Sequence, residues 1–252
     1  MGSKLNRLRV VLGCQLRNIT ADILFRLTIT GKSRSLAPSH KSAIVFSPHQ
    51  DDETLGCGGM IALKRQLGVP VKVVFMTDGR FGIPKSEPEE VILIRQHEAV
   101  AALGTLGVTH EDIHFLDRVD GTLANLPALQ RQQLIDKLTH LLQTFKPEEV
   151  YVPHHKDAHE DHEATYKLVR EAIAATDQNI ELWQYPIWLF WQSPFSIKIK
   201  SQDIAGAYSL AIDSVQTQKH QAIETYKSQI PGLTRGFLKR FESPYELFFK
   251  NP

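Results

Sequence analysis

The chain has 252 residues, enough for one α/β domain with a substantial core, or a domain with a small addition. A composition of 42% hydrophobic and 23% charged residues, with a net charge of +1, lacks the strongly basic balance of a nucleic-acid binder. Two cysteines, Cys14 and Cys57, with no CxxC pair argue against a disulfide-stapled secreted scaffold and exclude a thiolate zinc knuckle, so histidines and carboxylates must hold any metal.

The first 40 residues carry seven basic side chains (Lys4, Arg7, Arg9, Arg17, Arg26, Lys32 and Arg34) against one acid, Asp22. Leu5, Leu8, Val11 and Leu12 recur at helical spacing, and Ile19, Ile23, Leu24 and Leu27 extend the pattern. No uncharged stretch approaches the ~20 residues of a membrane span, and Arg9 and Arg17 leave no clean apolar core for a signal peptide. Two readings stand: a helix packed on the domain with its basic residues solvated, or a basic amphipathic segment (residues 1–35) touching an anionic membrane or a lipid-linked substrate. The expected division is a basic amphipathic extension over 1–40 and a single domain over 41–252.

From residue 42 onward, short β-branched runs alternate with helical stretches. Strands are expected at 42–46, 71–76, 112–116, 149–152 and 180–185, with helices at 56–67, 88–106, 126–145 and 160–175 between them. Beyond residue 190 the pattern is less regular, with a strand near 206–212 and a helix over 214–226. Strands separated by helices of this length predict a mostly parallel sheet covered on both faces, which binds ligands beyond the carboxyl ends of its strands.

Two segments at such strand ends carry the chemistry. Ser47-Pro48-His49-Gln50-Asp51-Asp52-Glu53 runs a strand into one histidine and three consecutive acids. Adjacent carboxylates at a buried strand end repel, and a divalent cation relieves that cost. Alone, the triplet reads first as solvated acids of a helix's N-cap and first turn, favoured by the helix dipole. The second segment, from His154 to His162, places four histidines and two aspartates within nine residues. Neutral imidazole is a common zinc ligand, and His159 and His162 at i, i+3 project to one side of a helix. Together the segments supply the inventory of a catalytic zinc site, though spacing alone does not say which His and which Asp bind.

The sequence resembles the LmbE/PIG-L family of zinc deacetylases. Pro48-His49-Gln50-Asp51-Asp52-Glu53 is similar to the family's (A/P)-H-P-D-D-E motif, and His159-Glu160-Asp161-His162 to its H-x-D-H motif. Arg95-Gln96-His97-Glu98, Thr77-Asp78-Gly79 and the 116–121 stretch follow the same likeness. The resemblance implies a Rossmann-like α/β fold, Zn2+ or another divalent metal such as Fe2+, and ligands His49, Asp52 and His162. It implies Asp51 as the general base, His159 as the oxyanion stabiliser and proton donor, and Asp161 as a partner of that histidine. Arg95 and Asp120 match substrate-binding positions. The implied substrate is a small-molecule or lipid-linked N-acetylated sugar, an N-acetylglucosaminyl group of a glycolipid, glycan or glycoside. A metal amidase on a non-sugar N-acyl compound and a non-catalytic sugar-binding module are the alternatives. A cytoplasmic location is expected, peripheral at the membrane on the second reading of the amino terminus, and the oligomeric state stays open.

Gln50 departs from the family proline, and an altered turn with changed contacts at the pocket rim is expected. Gly56-Cys57-Gly58-Gly59 lacks the spacing of a phosphate loop and reads as close helix–sheet packing, with Cys57 a packed residue. Trp183, Trp188, Phe190 and Trp191 fit either sugar stacking or the core. His154 and His155 rank below His162 as ligands.

Overall fold

A computed structural model describes residues 2–31, 33–195, 197 and 199–250, with helix side chains from residue 11 onward. The elements run α1 (Gly2–Gly31), β1 (Arg34–Leu36), β2 (Ala43–Ser47), α2 (Asp52–Gln66), β3 (Val71–Thr77), α3 (Pro88–Thr105) and β4 (Ile113–Arg118). They continue with α4 (Ala128–Phe145), β5 (Glu149–Pro153), α5 (Glu160–Ala174), β6 (Glu181–Tyr185), β7 (Ala207–Ala211), α6 (Gln216–Thr225), α7 (Arg235–Leu238) and β8 (Tyr245–Phe249). The eight strands form one mixed sheet in the order β1-β7-β8-β6-β5-β2-β3-β4. All pairs are parallel except those of β8, which is antiparallel to β6 and β7.

Every residue of β2 is buried, as a parallel strand covered on both faces requires. Its side chains alternate between two cores. Ala43 and Val45 pack with Met60 and Ile61 of α2, Leu103 of α3 and Ile223 of α6. Ile44 and Phe46 face the opposite core, with Leu138 of α4 and Val169 of α5. Helices therefore cover both sides of the sheet. The chain builds β2, β3 and β4 outward in one direction, then returns to place β5 on the other side of β2. A crevice opens at such a reversal, beyond the carboxyl ends of β2 and β5.

Helix α2 approaches the sheet closely through its glycines. A Cβ on Gly56 would stand 2.3 Å from Tyr185 Cδ2, and one on Gly59 2.5 Å from Ile212 Cγ2. Close packing is thus the use of the glycine run, and Cys57 is fully buried within it. Trp183 also belongs to the core, stacked on Tyr151.

Helix α1 differs from expectation in which side it buries. Ala21, Phe25 and Thr28 face inward, and the first two pack with Leu189, Phe190, Ala207, Leu247 and Phe249. Of the predicted apolar pattern, Val11, Leu12, Ile19, Ile23 and Leu27 are exposed, and Leu24 packs against this core. The expected positions Lys4, Leu5, Arg7, Leu8, Arg9 and Lys32 lie outside the described side chains. β1 follows α1 and pairs with β7, joining this segment to the sheet edge. No helix among the described residues is long and apolar enough to cross a membrane.

Gly56→Val should lower the unfolding free energy by about 2 kcal/mol or more in a denaturant titration, because the Tyr185 ring cannot swing away. Its hydroxyl is tied to the Phe46 carbonyl at 2.8 Å.

Candidate active site

The turn after β2 presents His49, Gln50 and Asp51 before α2 opens at Asp52. Asp51 holds φ 151° with ψ −30°, a conformation that costs a non-glycine residue energy. Glu53 holds the turn in place. Its Oε2 accepts the Asp51 N–H at 3.1 Å, and its Oε1 accepts the Thr54 hydroxyl at 2.6 Å and the Tyr226 hydroxyl. The third acid of the triplet is thus a buried buttress. Gln50 is fully buried as well, and its Nε2 donates to the Thr77 carbonyl at 2.8 Å. It ties the end of β2 to the end of β3 and is not at the pocket rim.

The loop after β5 brings His162 against this turn. His49 Nδ1 lies 3.1 Å from Asp52 Oδ2, His162 Nε2 lies 3.2 Å from the same oxygen, and the two nitrogens are 3.4 Å apart. Donors about 2.0–2.1 Å from a zinc ion at tetrahedral angles stand about 3.3–3.4 Å from one another. Three donor atoms of the right kind therefore already sit at the spacing that one small divalent ion requires.

The outward nitrogens of the two rings reinforce that fit. A ligating imidazole ordinarily gives its second N–H to a carboxylate. His162 Nδ1 is 2.7 Å from Asp157 Oδ2, and His49 Nε2 is 3.1 Å from Asp120 Oδ1 and 3.5 Å from Asp161 Oδ2. Asp157 is itself held by the backbone N–H groups of Ile187, Trp188 and Leu189 at 2.9–3.0 Å. Asp161 accepts the Gly121 N–H at 2.7 Å and the Leu123 N–H at 3.0 Å. It stands beside His49, where a pairing with His159 was expected.

The electrostatics follow from burying these groups together. Burial opposes charge on Asp52, yet His162 and His49 outweigh it and hold the carboxyl well below its usual range. Burial likewise works against a proton on His162, but Asp52 and Asp157 prevail and lift it to about 9. Burial raises the Asp51 carboxyl, Arg95 pulls it back, and Asp52 adds to the rise.

His159 closes the site from the other side, with its ring centroid 4.9 Å from that of His49 and 4.7 Å from that of His162. Burial, then the charges on His162 and His49, bring it down to about 4, so the resting ring is neutral near pH 7. Its Nδ1 is buried without a hydrogen-bond partner. Beside it lies a cavity of about 500 Å³, lined among others by Lys156, Glu163, Gln192 and Ile199.

Arg95 and Asp120 both pack against the site. Arg95 is buried, donating to the carbonyls of Gln50 at 2.9 Å and Gly79 at 3.2 Å and lying 3.4 Å from Asp51 Oδ1. It clamps the strained turn, while Asp120 faces His49. His154 and His155 bond to the Asp203 carbonyl and Gln184, apart from the triad.

The family model described as PIG-L, GlcNAc-PI de-N-acetylase, matches residues 44–173. The chain belongs to this family. A PIG-L relative in Escherichia coli K12, the uncharacterized deacetylase YaiS, is 30% identical across 67% of this chain and 87% of its own. The probable N-acetyl-alpha-D-glucosaminyl L-malate deacetylase 2 of Bacillus subtilis is 29% identical across 52% of this chain and 59% of its own. Among solved structures, the N,N'-diacetylchitobiose deacetylase of Pyrococcus horikoshii superposes with a TM-score of 0.60 at 24% identity, covering 80% of this chain and 74% of its own. The conserved protein TT1542 of Thermus thermophilus reaches 0.65 at 24% identity, covering 84% and 95%. These two likenesses show a shared fold.

Asp157 is the site residue that motif reading passed over, although it lies inside the His-rich segment. Asp157→Ala should weaken divalent-metal affinity about 10–100-fold, measured by calorimetric zinc titration. Unchanged affinity would show that His162 is oriented without it.

Proposed function

We propose that the chain is a metal-dependent hydrolase that removes the acetyl group from an N-acetylglucosaminyl unit of a small conjugate or a glycolipid. The observation that carries this reading is the triangle of His49 Nδ1, Asp52 Oδ2 and His162 Nε2, with edges of 3.1–3.4 Å, set between Asp51 and His159. The donor set suits Zn2+, with Fe2+ a chemically acceptable occupant. When bound, such an ion acidifies water and polarises an acyl oxygen.

The residues of the chain divide the remaining work. Asp51 takes the proton from the attacking water, and its raised pKa suits a group that must hold that proton briefly near neutrality. Arg95 fixes the carboxylate through the backbone of its own turn. The neutral His159 ring faces the cavity, where an N–H can meet the developing oxyanion. The amine leaves with a proton, which Asp51, having taken it from the water, returns to the nitrogen. The sugar assignment rests on the family description and on relatives named as deacetylases of an N-acetylglucosaminyl malate and of an inositol acetamido-glucoside. On this reading residues 41–252 form the catalytic domain and residues 1–40 an extension tied to the sheet by β1.

Asp51→Asn should cut turnover by about 10²–10⁴-fold while one equivalent of metal stays bound, whereas His162→Ala should lose the metal. Amine release from a panel of N-acetylglucosamine conjugates, combined with metal analysis, measures both. Near-normal turnover of metal-loaded Asp51→Asn would remove the base assignment. Release from non-sugar N-acyl compounds alone would move the substrate class.

A further inference from the structure

Helix α1 is apolar on two opposed sides, and the domain covers one of them. Ala21, Phe25 and Thr28 are turned inward. Leu12, Ile19, Ile23 and Leu27 recur at intervals of seven, four and four residues, which lines them up as one stripe along the helix. Each is more than half exposed, at 54%, 57%, 51% and 60%. Arg17 and Arg26 are exposed on the same helix, and its acid, Asp22, is already taken by Arg26 at 2.9 Å.

The inward side of the helix also packs on the loop that leads to the active-site cavity. The Phe25 ring meets Phe190 edge-on at 6.1 Å. Farther along the same loop, Phe195 and Ile197 are exposed at 89% and 48%, while Gln192 and Ile199 line the cavity beside His159. One loop therefore joins α1 to the mouth of the cavity.

We propose that the outward face of α1 docks on an anionic lipid bilayer. The helix lies in the plane of the headgroups, with Leu12, Ile19, Ile23 and Leu27 at the acyl boundary and Arg26, on the flank of that stripe, reaching lipid phosphates. Charge decides the occupant. A second copy of the chain would cover the same stripe but would bring together two segments that each carry seven basic residues against one acid. An anionic surface accepts the apolar area and the charge at once. Docking is independent of the hydrolase reading, because vesicle binding requires no turnover.

The test is sedimentation of the full chain with phosphatidylcholine vesicles made with and without phosphatidylglycerol. The expected result is co-sedimentation with the anionic vesicles, weakened by salt and far weaker with phosphatidylcholine alone. Ile19→Glu with Ile23→Glu should abolish it, and Arg26→Glu should lower it about tenfold. All three positions are exposed, so melting temperature and zinc uptake should match the parent chain. Should the glutamate pair fail to fold, Leu12→Gln with Leu27→Gln serves the same purpose. A full chain that stays in solution with anionic vesicles overturns the proposal, as does an apolar-face variant that binds like the parent. A dimer in light scattering that the same variants dissolve, without vesicle binding, reassigns the face to self-association.

Discussion

Asp52 is a carboxylate with 3% exposure, set between two buried imidazoles, and much of the surrounding polar structure exists to keep its charge paired. An unpaired buried carboxylate costs several kcal/mol, and the two rings that answer it are themselves polar groups removed from water. Each needs an acceptor for its far nitrogen. His162 takes Asp157, whose oxygens then need the N–H groups of residues 187–189. His49 takes Asp120 and Asp161, and Asp161 in turn needs the N–H groups of Gly121 and Leu123. The loops after β2, β4, β5 and β6 thus converge because one charge must be compensated through successive layers.

The sheet makes that convergence cheap. Strand order reverses between β2 and β5, so the ends of neighbouring parallel strands deliver two loops to one crevice without either crossing the other. The turn after β2 can then carry the strained Asp51, because Glu53 grips it from within α2 and Tyr226, just past α6, grips Glu53. The glycines of α2 matter for the same reason, since close approach to β6 sets how deeply Asp52 is buried.

Much of this was legible from residues alone, for identifiable reasons. β2, β3 and β5 are continuous apolar runs because both their faces are covered, and such runs stand out in a sequence. The density of His and Asp after β2 and β5 marked the site, and the family motif selected among them. β1 and β8 were not legible. β1 is three residues long, and β8 becomes a central antiparallel strand only because β6 and β7 leave a gap for it. The role of Asp157 depends on backbone groups thirty residues away, which no local pattern encodes. The spacing along α1 revealed a helix but not its inward side, since a helix with two apolar sides gives the same periodicity either way round.

The Asp157 clamp divides the segment after β6 into two parts with different freedoms. Its root, residues 187–189, is pinned by three bonds to one carboxylate and thereby to His162. The stretch beyond contributes Gln192 and Ile199 to the cavity wall and sends Phe195 into solvent. Gln192 is still tied to that root, through the Leu189 carbonyl at 3.0 Å, so only replacements beyond it would reshape the cavity wall without straining the clamp. Sequence drift in this loop is therefore cheapest at its outer end, farthest from the anchor that orients His162.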